Sequence, residues 1–135
     1  MKKAILVYNP LSGARFVVNK LGYIFDKFQS RGILVQPYIL EFSSCDELIN
    51  ILKKDGYELV IAAGGDGTMN FVANVLMISG LKIPLGIIPA GTCNDFAACV
   101  GVPANFVESV DVILDGKVKC VDIGLLNKEK YFLNT

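Results

Sequence analysis

Histidine is absent from all 135 residues. That removes the Ser-His-Asp triad, the Cys-His dyad and every histidine-ligated metal site from the chemistry open to this chain. Cysteine is sparse. Cys45, Cys93, Cys99 and Cys120 form no C-x-x-C pair, so a zinc ribbon or a thioredoxin-type site is not expected. Free, mostly buried thiols in a cytoplasmic chain fit better. Net charge is also missing, with 13 Lys plus Arg against 13 Asp plus Glu. Such a balance gives no long-range attraction to nucleic acid or to anionic lipid. No apolar run approaches the roughly 18 residues that suggest a membrane span. The opening "MKKAILVYNP" has the lysines of a secretory signal, but its apolar part, Ala4 to Tyr8, is short and stops at Asn9-Pro10, so a first strand is the expectation. Chemistry is left to carboxylates, hydroxyls, backbone amides and a hard metal.

Hydrophobic residues make up 53% of the chain, which supports one domain with a sizeable core. Short runs at 4–8, 33–40, 57–63 and 85–89 read as strands, the first of them continuously apolar, as a strand covered on both faces would be. Pro37 marks the second of these as an edge strand. Between them, Val17, Leu21, Ile24, Phe25 and Phe28 recur at helical spacing. Ser44 and Glu47 match a capping box for a helix ending near Gly56. A third helix is expected from Thr68 to Ser79, a short helical piece at 96–101, and another helix opened by Pro103 and stopped by Gly116. "VKCVDIGLL" (118–126) and "YFLNT" (131–135) read as strands joined by a short polar turn, hence an antiparallel pair. The alternation of strand and helix makes this an α/β domain with a mostly parallel sheet.

Glycine clusters where the first, third and fourth strands end. Asn9-Pro10-Leu11-Ser12-Gly13 follows the first strand, Gly64-Gly65-Asp66-Gly67-Thr68 the third, and Gly91-Thr92-Cys93-Asn94-Asp95 the fourth. Ligands of open parallel sheets bind at that carboxyl edge. Helix N-terminal amides there favour anions, and glycine lets backbone approach a phosphate closely. Three such loops make ordinary tight turns the weaker explanation. There is no Gly-Lys-[Ser/Thr] and no G-x-G-x-x-G, so the loops belong to neither the Walker A nor the dinucleotide type. Asp66 sits oddly beside phosphate. Either a Mg²⁺ lies between them, or its carboxylate accepts hydrogen bonds from loop amides. Mutual repulsion among Asp66, Asp95 and Asp122 leads one to expect that neutralising Asp66 or Asp95 slightly stabilises the empty fold.

The stretches "NPLSG" (9–13), "GGDGTMN" (64–70), "PLGIIPAGTCNDFA" (84–97), "VDIG" and "YFLN" together resemble the N-terminal nucleotide-binding domain of diacylglycerol kinases and related lipid kinases, including sphingosine kinases. The resemblance runs through the whole chain. It implies a three-layer Rossmann-like domain over residues 1–135, with a C-terminal β-sandwich domain not included in this chain, and hence an isolated domain without lipid kinase activity. It implies transfer of the ATP γ-phosphate to a lipid hydroxyl with Mg²⁺. By position, Asn9, Pro10, Ser12, Gly13, Gly64, Gly65, Asp66, Gly67, Thr68, Asn70, Gly91, Thr92 and Asn94 would surround the nucleotide. Asp66 would be catalytic, and Asp66, Asp95 and Asp122 would hold the metal. The implied partners are ATP and a lipid at the membrane surface, met by a cytoplasmic or peripheral protein, with no nucleic acid; a homodimer is compatible with this. Two positions depart from the family pattern. Phe71 stands where a glutamate usually follows the asparagine, and "LEFSS" lacks the usual threonine, leaving Ser43 or Ser44 to stand in. Two other readings stay open. One is an NAD kinase-like or other small-molecule kinase. The other is a non-catalytic nucleotide-binding module.

Overall fold

The computed structural model describes residues 1–10, 15–40, 45–91 and 94–116. Four strands, β1 (Lys2–Tyr8), β2 (Ile33–Ile39), β3 (Leu59–Gly64) and β4 (Leu85–Pro89), alternate with α1 (Arg15–Ser30), α2 (Cys45–Asp55) and α3 (Asp66–Ser79). Two further helices, α4 (Asp95–Cys99) and α5 (Phe106–Leu114), follow β4. The strands form one sheet in the order β2-β1-β3-β4, and every pairing among the described residues is parallel. β2 lies at an edge, where Pro37 is tolerated because one side of the strand needs no ladder bond. The antiparallel pair expected from 118–126 and 131–135 lies outside the described residues.

Period-two alternation along the strands divides the core into two halves. Ile5, Val7, Val60, Ala62 and Ile87 point to one side, where they meet Leu48 and Leu52 of α2, Met69, Val72 and Val75 of α3, and Phe96 of α4. Ala4, Leu6, Tyr8, Ile61, Ala63 and Ile88 point to the other, against Val17, Ile24 and Phe28 of α1 and Val110 of α5. The result is helix, sheet, helix in three layers. Fully burying a side chain of the size of Phe28 or Ile24 contributes about 1.5–3 kcal/mol, so these two half-cores fix which side each helix occupies.

Two helix starts differ from the sequence expectation. α3 begins at Asp66 with Gly65 as its N-cap, so Asp66 and Gly67 belong to the first helical turn rather than to the loop. α5 begins at Phe106, three residues after Pro103. The Asn105 side chain supplies the start signal by accepting the Glu108 amide at 3.0 Å. The capping box of α2 depends on Ser44, which lies outside the described residues. Glu47 accepts the Tyr38 hydroxyl at 3.1 Å, tying the end of β2 to the start of α2.

This topology creates an opening. α1, which follows β1, packs on one face of the sheet, whereas α3, which follows the adjacent β3, packs on the other. The two connections leave neighbouring strand ends in opposite directions. Such a switch in strand order leaves a crevice outside the carboxyl edge.

Candidate functional site at the carboxyl edge

The crevice lies between the ends of β1 and β3. Tyr8 pairs with Ala63 at the last register position, so Asn9 and Pro10 follow on one side and Gly64 and Gly65 on the other. Beyond β3 and β4 the chains stay in contact after the strands end. The Ala90 amide donates to the Gly64 carbonyl at 2.8 Å. Gly91 then lies against Gly65 so closely that a Cβ at Gly91 would be 2.5 Å from the Gly65 Cα. No side chain fits that contact. Gly64 is constrained differently. Its φ is +153°, and a Cβ there would be 2.8 Å from the Thr68 hydroxyl oxygen.

Asp66 completes this union of two loops. One carboxylate oxygen accepts the Asp95 amide at 3.2 Å, and the other accepts the Phe96 amide at 3.0 Å. These are the first amides of α4, which have no partner within their own helix. Asn94, the N-cap residue of α4, makes no side-chain cap bond, because its amide is turned back to Gly91. Its Oδ1 accepts the Gly91 N–H, and its Nδ2 donates to the Gly91 carbonyl, both at 3.2 Å. The fourth-strand loop is thus closed on itself by Asn94, and its helix is pinned to the third-strand loop by Asp66.

The glycine reading divides accordingly. Gly91 is required by chain-to-chain approach, and Gly64 by its positive φ and the Thr68 side chain beside it. Gly67 is under neither constraint. It is exposed in the first turn of α3, and a Cβ there would meet nothing among the described residues within 4 Å. Among the described residues, open space therefore stands beside the first-turn amides of α3, a 14-residue helix with no side-chain cap bond. Those amides and the helix dipole favour an anion. Thr68 and Asn70 are buried, at 6% and 7% exposure, so they support the loop from beneath.

Of the sequence-predicted residues, the fold brings Gly64, Gly65, Asp66, Thr68, Gly91, Asn94 and Asp95 into one contiguous edge, with Asn9 and Pro10 beside it. Ser12, Gly13, Thr92 and Asp122 lie outside the described residues, as do Ser43 and Cys93. Among the described residues no group of three His, Cys, Asp or Glu side chains is placed to hold a metal ion. Against the expectation that neutralising Asp66 stabilises the fold stands its carboxylate, which accepts two backbone amides and so predicts a loss of stability on neutralisation. Sequence reasoning missed Phe96 and Ala90, which act through their amides and leave no side-chain signature. No described helix is long and apolar enough to cross a membrane.

Residues 3–126 match a family model described as the diacylglycerol kinase catalytic domain. The chain is 36% identical over 135 residues to a diacylglycerol kinase of Staphylococcus saprophyticus, covering 98% of this chain and 44% of that protein. It is 34% identical over 139 residues to a diacylglycerol kinase of Bacillus subtilis, covering 99% of this chain and 45% of that protein. A crystal structure of a diacylglycerol kinase from Bacillus anthracis matches with a TM-score of 0.63 at 29% identity, covering 89% of this chain and 42% of that one. The chain spans less than half the length of the curated relatives it matches.

Proposed function

This chain belongs to the diacylglycerol kinase catalytic-domain family, and on that premise we propose that it forms the ATP-binding half of a lipid kinase that moves the ATP γ-phosphate to a lipid hydroxyl. The observation that carries this reading is the joined edge at the switch point, where Asp66 clasps α4 and leaves the open side of Gly67 next to the α3 amides.

In this proposal the phosphates approach the first turn of α3, with Gly65 and Gly67 admitting them closely and Gly91 and Asn94 forming the neighbouring wall. Asn9 and Pro10 border the crevice from β1, with Ser12, Gly13 and Thr92 assigned to the same site by position in the sequence. Phosphoryl transfer asks a protein mainly for positioning and for charge stabilisation. A preformed edge held by backbone and carboxylate bonds meets the first demand. Mg²⁺ commonly binds through one or two carboxylates together with substrate phosphates and waters. The exposed Asp95 and the remaining acceptor capacity of Asp66 fit that donor set, with Asp122 as the third expected carboxylate. When bound, Mg²⁺ would supply charge neutralisation on the phosphate oxygens.

Calorimetric titration of the 135-residue chain with ATP–Mg²⁺ tests the proposal. Saturable binding that Gly67→Val abolishes, in a variant that still melts cooperatively, is the expected result. Equal binding by wild type and Gly67→Val would move the nucleotide away from α3.

A further inference from the structure

We propose that the groove along the outer edge of β4 is a binding site for an anionic amphiphile, a single alkyl chain with a phosphate-type head. β4 is last in the sheet order, so its outer edge has no neighbouring strand among the described residues. A groove of about 1120 Å³ follows that edge, between Val100 and Val102 on the α4 side of the sheet and Val112 and Ile113 on the α5 side. It then bends around the amino-terminal end of the sheet to Ile33 and Leu59, the first residues of β2 and β3. Its α5 wall is fixed, because Ile113 seats on Gly86, where a Cβ would be 2.9 Å from the Ile113 Cδ1.

The lining decides the chemistry of the ligand. Among the described residues its side chains are apolar apart from Lys2, Arg31 and Lys82 and the single acid Glu58, and it contains no serine, threonine, asparagine, glutamine or tyrosine. A sugar or a base is oriented by a few placed polar groups, and this lining has no uncharged one. An alkyl chain needs only apolar length, and the excess of cations suits an anionic head. Lys2 opens β1, Arg31 precedes β2 and Lys82 precedes β4, so all three cations lie at the amino-terminal end, where the groove bends. An extended peptide paired along β4 is the rival occupant, and the chain itself continues from Gly116, a lining residue. Such a strand would cover Leu85 and Ile87 but would leave Ile33 and Leu59, around the bend, open. A flexible chain with its head among the cations covers both. The lipid hydroxyl acceptor of the proposed kinase reaction is neutral and its phosphorylated product is charged, so the groove takes product-like amphiphiles. Only that consequence rests on the proposed function.

The test follows the melting temperature of the 135-residue chain with monomeric n-dodecyl phosphate, n-butyl phosphate and neutral n-dodecyl maltoside, because a ligand of the folded state raises it. Dodecyl phosphate should give a saturable rise, dodecyl maltoside a smaller one and butyl phosphate none. By calorimetric titration, Lys2→Gln/Arg31→Gln should bind dodecyl phosphate about tenfold more weakly, the scale of two exposed charge pairs, with dodecyl maltoside unchanged. Val112→Glu, which puts an acid on the apolar wall at a position already 43% exposed, should also weaken dodecyl phosphate without loss of the cooperative melt. Equal binding of dodecyl phosphate by wild type and both variants overturns the site. No saturable rise with any of the three probes, as when residues 117–135 fill the groove, overturns it too. So does adsorption to phosphatidylglycerol vesicles without binding of monomeric dodecyl phosphate, which would make the cations a surface patch.

Discussion

Asp66 and Phe96 are 30 residues apart in sequence, yet the Asp66 carboxylate accepts the Phe96 amide at 3.0 Å and the neighbouring Asp95 amide at 3.2 Å. A residue that reads as a metal ligand or as a repelling charge is, in the empty protein, the cap of a helix on another loop. Its charge faces the positive end of α4.

Asp66→Asn keeps the shape but leaves a single acceptor and turns an amide NH₂ towards a backbone N–H. It should lower unfolding free energy by about 1–2 kcal/mol, the usual cost of a lost cap with charge-assisted bonds. Urea denaturation of the ligand-free protein measures this. A variant as stable as wild type, or more so, would mean that repulsion among the carboxylates dominates.

The glycines of the second and third loops should separate sharply. Gly91→Ala forces a Cβ to 2.5 Å from the Gly65 Cα. Backbone must move, and destabilisation of about 2 kcal/mol or more is expected, in the range set by overpacking. Gly67→Ala adds a methyl group to open space inside a helix. It should be neutral or stabilising by up to about 1 kcal/mol, while weakening nucleotide binding. Thermal melts of the two variants decide this, and equal losses would show that Gly67 is constrained by the fold.

Asn94 makes a third case. Its amide bonds both the N–H and the carbonyl of Gly91, so Asn94→Ala should free the Gly91 amide for hydrogen exchange at a cost of about 1–2 kcal/mol. Asn94→Asp retains the acceptor and loses the donor, and should fall between the two. Unaltered Gly91 protection in Asn94→Ala would place that bridge outside the solution structure.

Much of this was legible in the sequence because it is local. The four apolar strand runs and the 3.6-residue stripe of Val17, Leu21, Ile24 and Phe28 specify their elements directly, and Pro37 marked the edge strand. The start of α3 was misplaced because Gly64-Gly65-Asp66-Gly67 looks like loop by composition, while the half-core against Met69 and Val72 winds the helix back to Asp66. The start of α5 was set by a side-chain bond from Asn105 rather than by the fixed φ of Pro103. The clasp by Asp66 was visible only as an alternative, because a cap supplied from 29 residues away leaves no pattern in sequence spacing. Of the glycines expected at a phosphate, Gly91 is required by contact between loops and Gly64 by its positive φ and the adjacent Thr68 side chain, a distinction that requires coordinates.

The most direct measurement of the central claim is an amide chemical-shift titration of the 135-residue chain with ATP–Mg²⁺. The account predicts saturable shifts centred on Gly65, Asp66, Gly67 and Gly91, with the Phe96 amide following because Asp66 holds it. Shifts confined to the opposite, amino-terminal edge of the sheet, or no saturable shift at the Gly67 amide, would contradict it.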